Sequence, residues 1–278
     1  SSALKLVSLL FGWPLIAIAI AMATEYALNL IFLARYCLRH WSGMLGTFER
    51  RYARDLVKAS SLVMLGGFLM ACQSRSEYYL IAHFMNLESL GLYAAALKCM
   101  EVVDVLVLVF TMTIMPELVK RNQLELPILA RRTYLLGILF FIAMLLFMAF
   151  MYLIYPWVYG QQYLAAQAII PWLALRPLFV ILGAIRGVFL VMEGRLRYLP
   201  ICSAVGLLVT VLLGSILVPS WGLQGAAISG LIGLVISNFV MDLFFRPLNI
   251  TNIFFCYREW PYAINRLFEI LKIKKFHV

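Results

Sequence analysis

The chain has 278 residues, 64% of them hydrophobic and 13% charged, with a mean hydropathy of +0.94 and a formal net charge of +10. A water-soluble fold of this length needs far more polar surface, so the composition excludes a soluble enzyme and assigns the bulk of the chain to lipid. The basic balance does not indicate nucleic acid: the Lys and Arg residues are spread along connections beside apolar runs, where anionic lipid headgroups are the simpler partner.

In chain order, seven apolar stretches, 6–34, 59–84, 91–115, 133–157, 166–192, 199–218 and 222–245, are candidates for crossing the membrane. Each is long enough for a hydrocarbon core of about 30 Å, which takes about 20 helical residues. None alternates as a membrane β-strand does, and mid-bilayer offers the backbone no water. The sequence therefore predicts an all-α polytopic membrane protein of about seven transmembrane helices.

Between the first two stretches, Trp41, Met44, Leu45, Phe48, Tyr52 and Leu56 recur at helical spacing among Arg50, Arg51 and Arg54. That pattern suits a helix lying on the inner leaflet, either a joint between two bundles or a plain surface helix. The connections at 35–58, 116–132 and 193–198 and the tail hold most of the 23 basic residues, whereas the loops Met85–Leu90, Val158–Ala165 and Pro219–Trp221 hold none. By the positive-inside rule the basic face is cytoplasmic, the C-terminus is inside and the end at Lys5 is outside. With a first residue that is not Met and a span that begins almost at once, the chain reads as the C-terminal part of a longer protein. Beyond Pro261, Ile264, Leu267, Phe268 and Leu271 share one helical face, which predicts a tail docked at the interface. Five cysteines without C-x-x-C spacing and three scattered histidines predict no disulfide framework, no metal site and no cofactor.

Short motifs punctuate the spans. Glu88-Ser-Leu-Gly91-Leu-Tyr93-Ala-Ala-Ala-Leu-Lys98 opens a span that ends at Met115-Pro116-Glu117-Leu118. Tyr159-Gly160-Gln161-Gln162-Tyr163 makes an external turn, and Met192-Glu193-Gly194-Arg195 closes a later span. The last two spans are joined through Pro219-x-x-Gly222-x-x-Gly225-Ala226-Ala227. Their first reading is structural: Pro219 stops a helix, Gly222 permits a tight turn, and Gly225 with its alanines allows close helix packing, as Gly91 does with Ala94, Ala95 and Ala96.

Over residues 59–245 this set, in order and on these sides of the membrane, resembles the C-terminal bundle of Wzx-type polysaccharide flippases, in the multidrug/oligosaccharidyl-lipid/polysaccharide exporter superfamily. The resemblance implies two pseudo-symmetric bundles. On that reading residues 1–34 are the last helix of a preceding bundle, 35–58 a cytoplasmic basic linker, 59–245 the C-terminal six-helix bundle and 246–278 a cytoplasmic amphipathic tail. It further implies translocation of an undecaprenyl-pyrophosphate-linked oligosaccharide across a bacterial inner membrane by alternating access, with no bond made or broken. A coupling ion (H+ or Na+), membrane lipids, a polysaccharide polymerase and a chain-length regulator are the partners it implies. A drug/cation antiporter or a lipid II flippase of the same superfamily and a membrane polysaccharide polymerase are the competing readings; the last usually carries a long external loop, and the loops here are short.

Ionisable groups inside spans are costly and mark sites by default. At about 1.5 Å per residue, Arg75, Lys98, Glu101 and Arg176 all fall about 10–15 Å from the external ends of their helices, with Asp104 one turn deeper. One reading is a set of structural ion pairs, Lys98 or Arg176 with Glu101. The other is a hydrated cavity in which Arg75, Lys98 and Arg176 attract a pyrophosphate while Glu101 and Asp104 balance them or hold the coupling cation. Glu77 reads as solvated near the surface, and Arg186 as snorkelling to the inner end. Pro177 predicts a break beside Arg176, and Gly66-Gly67 either a bend or close packing.

Overall fold

The computed structural model describes residues 15–40, 49–120, 126–245 and 247–261. The expected faces of the linker (Trp41, Met44, Leu45, Phe48) and of the tail (Ile264, Leu267, Phe268, Leu271), and the end at Lys5, lie outside the described residues. Among the described residues every regular element is helical and no strand occurs. The helices are α1 (Leu15–His40), α2 (Arg50–Phe84), α3 (Leu87–Lys120), α4 (Leu126–Tyr159), α5 (Leu164–Gln167), α6 (Ile170–Ala174), α7 (Arg176–Met192), α8 (Tyr198–Val235), α9 (Met241–Phe245) and α10 (Pro247–Phe254). Turns of 3-10 helix at Gln161–Tyr163 and Cys256–Glu259 and a π-helical segment at Ile236–Val240 complete the set.

Three described stretches are long and apolar enough to cross a membrane: Ile128–Tyr159, Ile170–Met192 and Tyr198–Phe245, with mean hydropathies of 2.6, 1.9 and 2.6. A fourth is added if Arg50–Lys58 and Ser60–Phe84 form one span. The seven expected spans are thus not all recovered by length and hydropathy. In α3 the charges Lys98, Glu101 and Asp104 interrupt the apolar run, and the expected sixth and seventh spans fall within one 48-residue stretch.

The chain divides into two compact units, Ser1–Val57 and Lys58–Val278. In the first, α1 leaves Leu30, Phe32 and Leu33 exposed, as a lipid-facing helix does. In the second, α7 is the central helix, packed on α3, α4, α8 and the π segment. Its Ile181, Ile185 and Phe189 meet Tyr93 and Val103 of α3 and Tyr134 and Met148 of α4 in one buried cluster. α4 has two faces: Met144, Met148 and Tyr155 are buried, whereas Leu146, Phe150, Leu153 and Trp157 form an outward stripe in which Trp157 is 91% exposed. Such a stripe has a stable environment only in lipid, so the fold is that of an all-α membrane protein.

The 48-residue stretch is a helical hairpin. Gly222 takes φ 57° and ψ −134°, a conformation that breaks the helix and that side chains disfavour. The two arms then pack through small residues at matched positions: Gly206 faces Ser237, Thr210 faces Gly233, Gly214 faces Ser229, and Gly225 sits against the Leu217 carbonyl. Without a hydrophobic drive between helices in lipid, this close approach of backbones supplies the association. Gly66 of α2 packs on Leu199 and Pro200 while Gly67 meets open space, and α2 stays helical through both, so close packing at Gly66 accounts for the pair. The expected packing role of Gly91 is not present: a side chain there would meet nothing within 4 Å. Pro116 lies within the helical backbone of α3, and its side chain lies outside the described residues. Gly160, at φ 86°, turns the chain out of α4 as anticipated.

At the same end, Asn86 caps α3 by accepting the Ser89 N–H at 2.8 Å. α7 closes at Gly194, whose φ of 69° lets the Arg195 N–H reach the Leu190 carbonyl at 2.9 Å, the C-terminal capping bond of a helix end. The described part of the tail docks on the first turns of α4, where Arg132 Nε donates to Glu259 Oε2 at 2.8 Å and Arg131 Nε to Asn252 Oδ1 at 3.2 Å.

Candidate functional site

α2 buries Gln73, Ser76, Glu77, Leu80 and Ile81, a spacing that keeps one helical face turned into the bundle. α3 does the same with Tyr93, Ala96, Met100, Val103 and Val107, leaving Asp104 and Glu101 off that face. α6 ends at Ala174, Leu175 intervenes, and α7 starts at Arg176 with Pro177 in its first turn. The predicted break is therefore real, and it releases Arg176 at a helix start rather than mid-helix. Proline suits that position because its missing N–H would have had no intrahelical acceptor.

These elements surround a cavity of about 390 Å³ whose wall includes Gln73, Arg75, Tyr78, Glu101, Asp104 and Arg176. The structure thus brings together Arg75, Glu101, Asp104 and Arg176, four of the five charges expected around one cavity. Lys98 is not on this wall but pairs with Glu101, its Nζ 2.7 and 2.8 Å from the two carboxylate oxygens, with the two side chains 61% and 60% exposed. That is the Lys98–Glu101 pair of the structural reading; the alternative, Arg176 with Glu101, does not form.

Arg176 instead holds Glu77. Its Nη1 donates to Oε2 at 2.9 Å and its Nη2 to Oε1 at 2.8 Å, a two-pronged contact with side-chain exposures of 11% and 1%. Tyr93 adds its hydroxyl to Glu77 Oε2, and a Cβ at Gly230 of α8 would overlap the carboxylate. The expectation that Glu77 is solvated near the surface is overturned, because four helices close around it. Residue counting missed it since depth says nothing of which way a side chain turns. The available signal was that Glu77 shares a helical face with Gln73, Leu80 and Ile81. With Glu77 included the charges balance, Arg75, Lys98 and Arg176 against Glu77, Glu101 and Asp104, and the local positive excess expected from the sequence disappears.

Two charges on the wall form no close ion pair among the described residues. Arg75 places its guanidinium carbon 5.5 Å from the centre of the Tyr78 ring, a cation–π contact that leaves its donors open, and Asp104 accepts no hydrogen bond. The cavity therefore offers a fork of N–H donors and a carboxylate to whatever enters it. Its volume lies within the range of about 300–1,000 Å³ usual for small-ligand sites, enough for a headgroup but not for a long glycan. No group of three His, Cys, Asp or Glu side chains is placed to hold a metal among the described residues.

A second buried cation corrects another expectation. Arg186 of α7 does not snorkel; it is 4% exposed and turned into the bundle. Its Nη1 donates to the Ser237 carbonyl at 2.5 Å and lies 3.4 Å from Asp242 Oδ1, and its Nη2 donates to Asn238 Oδ1 at 3.2 Å. The acceptors lie in the π segment Ile236–Val240, which brings both the Ser237 carbonyl and the Asn238 side chain to Arg186. Arg186→Lys keeps the charge but loses the two-pronged reach, so it is expected to lower stability by about 1–2 kcal/mol, read by thermal unfolding in nanodiscs.

The fold and cavity define a helical membrane protein with a chamber between helices lined by both apolar and charged side chains. A family model described as "Polysaccharide biosynthesis protein" matches residues 1–168. The chain belongs to this polysaccharide biosynthesis protein family. The match takes in α1 to α5 together with Arg75, Glu101 and Asp104, while Arg176, Arg186 and the hairpin lie beyond it. No curated protein and no solved structure matches the chain.

Proposed function

We propose that the protein is a Wzx-type flippase that moves an undecaprenyl-pyrophosphate-linked oligosaccharide from the inner to the outer leaflet of a bacterial inner membrane, its C-terminus cytoplasmic. The supporting observation is Arg75, held on the Tyr78 ring with its donors open on a cavity wall it shares with Arg176, in a chain of the polysaccharide biosynthesis family. The pyrophosphate would occupy the guanidinium side, the first sugars would fill the remaining space, and the prenyl tail would stay in lipid. Binding and release suffice for this, so no residue has a catalytic role, and access from each leaflet in turn would come from the motion of this bundle against another. Asp104 would balance the charge or take a coupling cation, H+ or Na+. A polysaccharide polymerase and a chain-length regulator would receive the product.

One observation favours a second reading. A carboxylate and an aromatic ring on one cavity wall, Asp104 and Tyr78, also suit an organic cation, as in a drug/cation antiporter of the same superfamily. Complementation of a flippase-null strain with the natural full-length gene separates the two. Arg75→Ala is expected to reduce surface polysaccharide sharply, since loss of a charge-assisted contact costs about 1.5–3 kcal/mol, roughly 10–100-fold in affinity. Lys98→Ala is expected to reduce it less, because Lys98 lies off the cavity wall and acts on it only through Glu101. Wild-type polysaccharide with Arg75→Ala, together with loss of drug resistance on Asp104→Asn, would instead select the antiporter.

A further inference from the structure

Arg176 lines the cavity, yet both of its terminal nitrogens are already engaged by a carboxylate of the protein itself. Glu77 is an unusual choice of wall partner. It is 1% exposed, it takes the Tyr93 hydroxyl on the oxygen that also receives Arg176 Nη1, and Gly230 makes room for it. This arrangement fixes the guanidinium at one place and cancels its charge while the cavity is empty. A guanidinium has five N–H donors, and the contact uses two, so Nε and the second hydrogens of Nη1 and Nη2 are not committed to Glu77. An anion arriving at the cavity can therefore reach Arg176, but it meets a neutral pair rather than a free cation.

We infer that Glu77, seated by Tyr93, is the resident counter-anion of Arg176, and that it competes with the phosphate oxygens of the cargo for this guanidinium and so sets how weakly the cavity holds them. The inference rests on the flippase reading above and gives that same site its affinity-determining residues. A carrier needs such a competitor, because a headgroup held by two uncompensated guanidiniums in a low-dielectric chamber would bind tightly and leave slowly. Displacement also has a structural consequence. The Arg176–Glu77–Tyr93 cluster ties α7 to α2 and α3, so cargo that draws Arg176 away loosens that tie when the chamber is loaded. When the cargo departs, Glu77 recaptures the guanidinium.

The test uses the purified full-length protein in nanodiscs with farnesyl pyrophosphate as the probe, and farnesyl monophosphate and farnesol as comparisons, read by intrinsic tryptophan fluorescence. Glu77→Gln removes the competing charge while keeping the shape. It is expected to bind farnesyl pyrophosphate about tenfold more tightly, the size of a typical coupling between two ligands of one group, and to leave farnesol unchanged. Tyr93→Phe loosens the hold on Glu77 and is expected to shift affinity in the same direction by less; being isosteric, it serves where Glu77→Gln fails to fold. In proteoliposomes both variants are expected to lower KM and kcat together, a split that loss of packing alone does not produce. Folded Glu77→Gln and Tyr93→Phe proteins that bind the pyrophosphate no more tightly than wild type overturn the inference while leaving the flippase reading intact. If Arg75→Ala and Arg176→Ala both bind it as wild type does, the flippase reading of the cavity is lost, and this inference with it.

Discussion

Arg176→Ala is expected to lower the stability of the bundle by about 3–5 kcal/mol, the usual result of stripping one partner from a buried ion pair and leaving the other charge unpaired. Glu77 is the group left behind, enclosed by α2, α3, α7 and the Gly230 position of α8 with only the Tyr93 hydroxyl to satisfy it. Thermal unfolding in nanodiscs should show the loss as a large fall in Tm and in the amount of protein recovered from the membrane. The double variant Arg176→Leu with Glu77→Leu separates this effect from function. Replacing a buried pair by apolar side chains is often neutral for stability, so the double variant should recover most of the Tm. It should not recover polysaccharide export, because the guanidinium on the cavity wall is gone. A double variant that restored both would reduce the pair to a structural clamp.

That pairing also marks the limit of what the amino-acid order discloses. Helices follow directly from apolar runs that only a bilayer can accommodate, and the all-helical fold was legible from them. So was the shared depth of Arg75, Lys98, Glu101 and Arg176, with Asp104 one turn deeper, because depth along a helix is a matter of counting residues at a fixed rise. Partner choice is different in kind. Whether Arg176 turns toward Glu101 or Glu77 depends on the rotation of α2 about its own axis, and that rotation is set by Gly66 against Leu199 and by Gly230 against Glu77, contacts between segments more than a hundred residues apart. Arg186 was misplaced for a related reason. Its acceptor is a backbone carbonyl within the π segment at Ile236–Val240, and no side-chain pattern announces a backbone acceptor. The charge balance of the chamber changed with the first of these assignments: one acid that looked solvated neutralises a cation on its wall.

The second large effect concerns the hairpin, where Gly225→Val is expected to prevent the arms of α8 from closing and to cost about 3 kcal/mol or more. A Cβ at Gly225 would meet the Leu217 carbonyl and lie 3.0 Å from the Val218 nitrogen, all of it backbone, so no rotamer change relieves the overlap. The consequence reaches the site, because the same register sets Gly214 against Ser229 and Gly206 against Ser237, and brings Gly230 under the Glu77 carboxylate. A graded series tests this cause. Gly230→Ala intrudes on a side chain that can shift, so it should disturb Arg176 and Glu77 more than it disturbs the fold. Gly187→Ala, with nothing within 4 Å, should be neutral or slightly stabilising, by at most about 1 kcal/mol, because alanine favours the helix. Membrane accumulation and Tm should therefore fall in the order Gly187→Ala, Gly230→Ala, Gly225→Val. Equal losses across the three would mean that tight apposition of the arms is not what holds the hairpin, and that Pro219 and Gly222 alone define the turn.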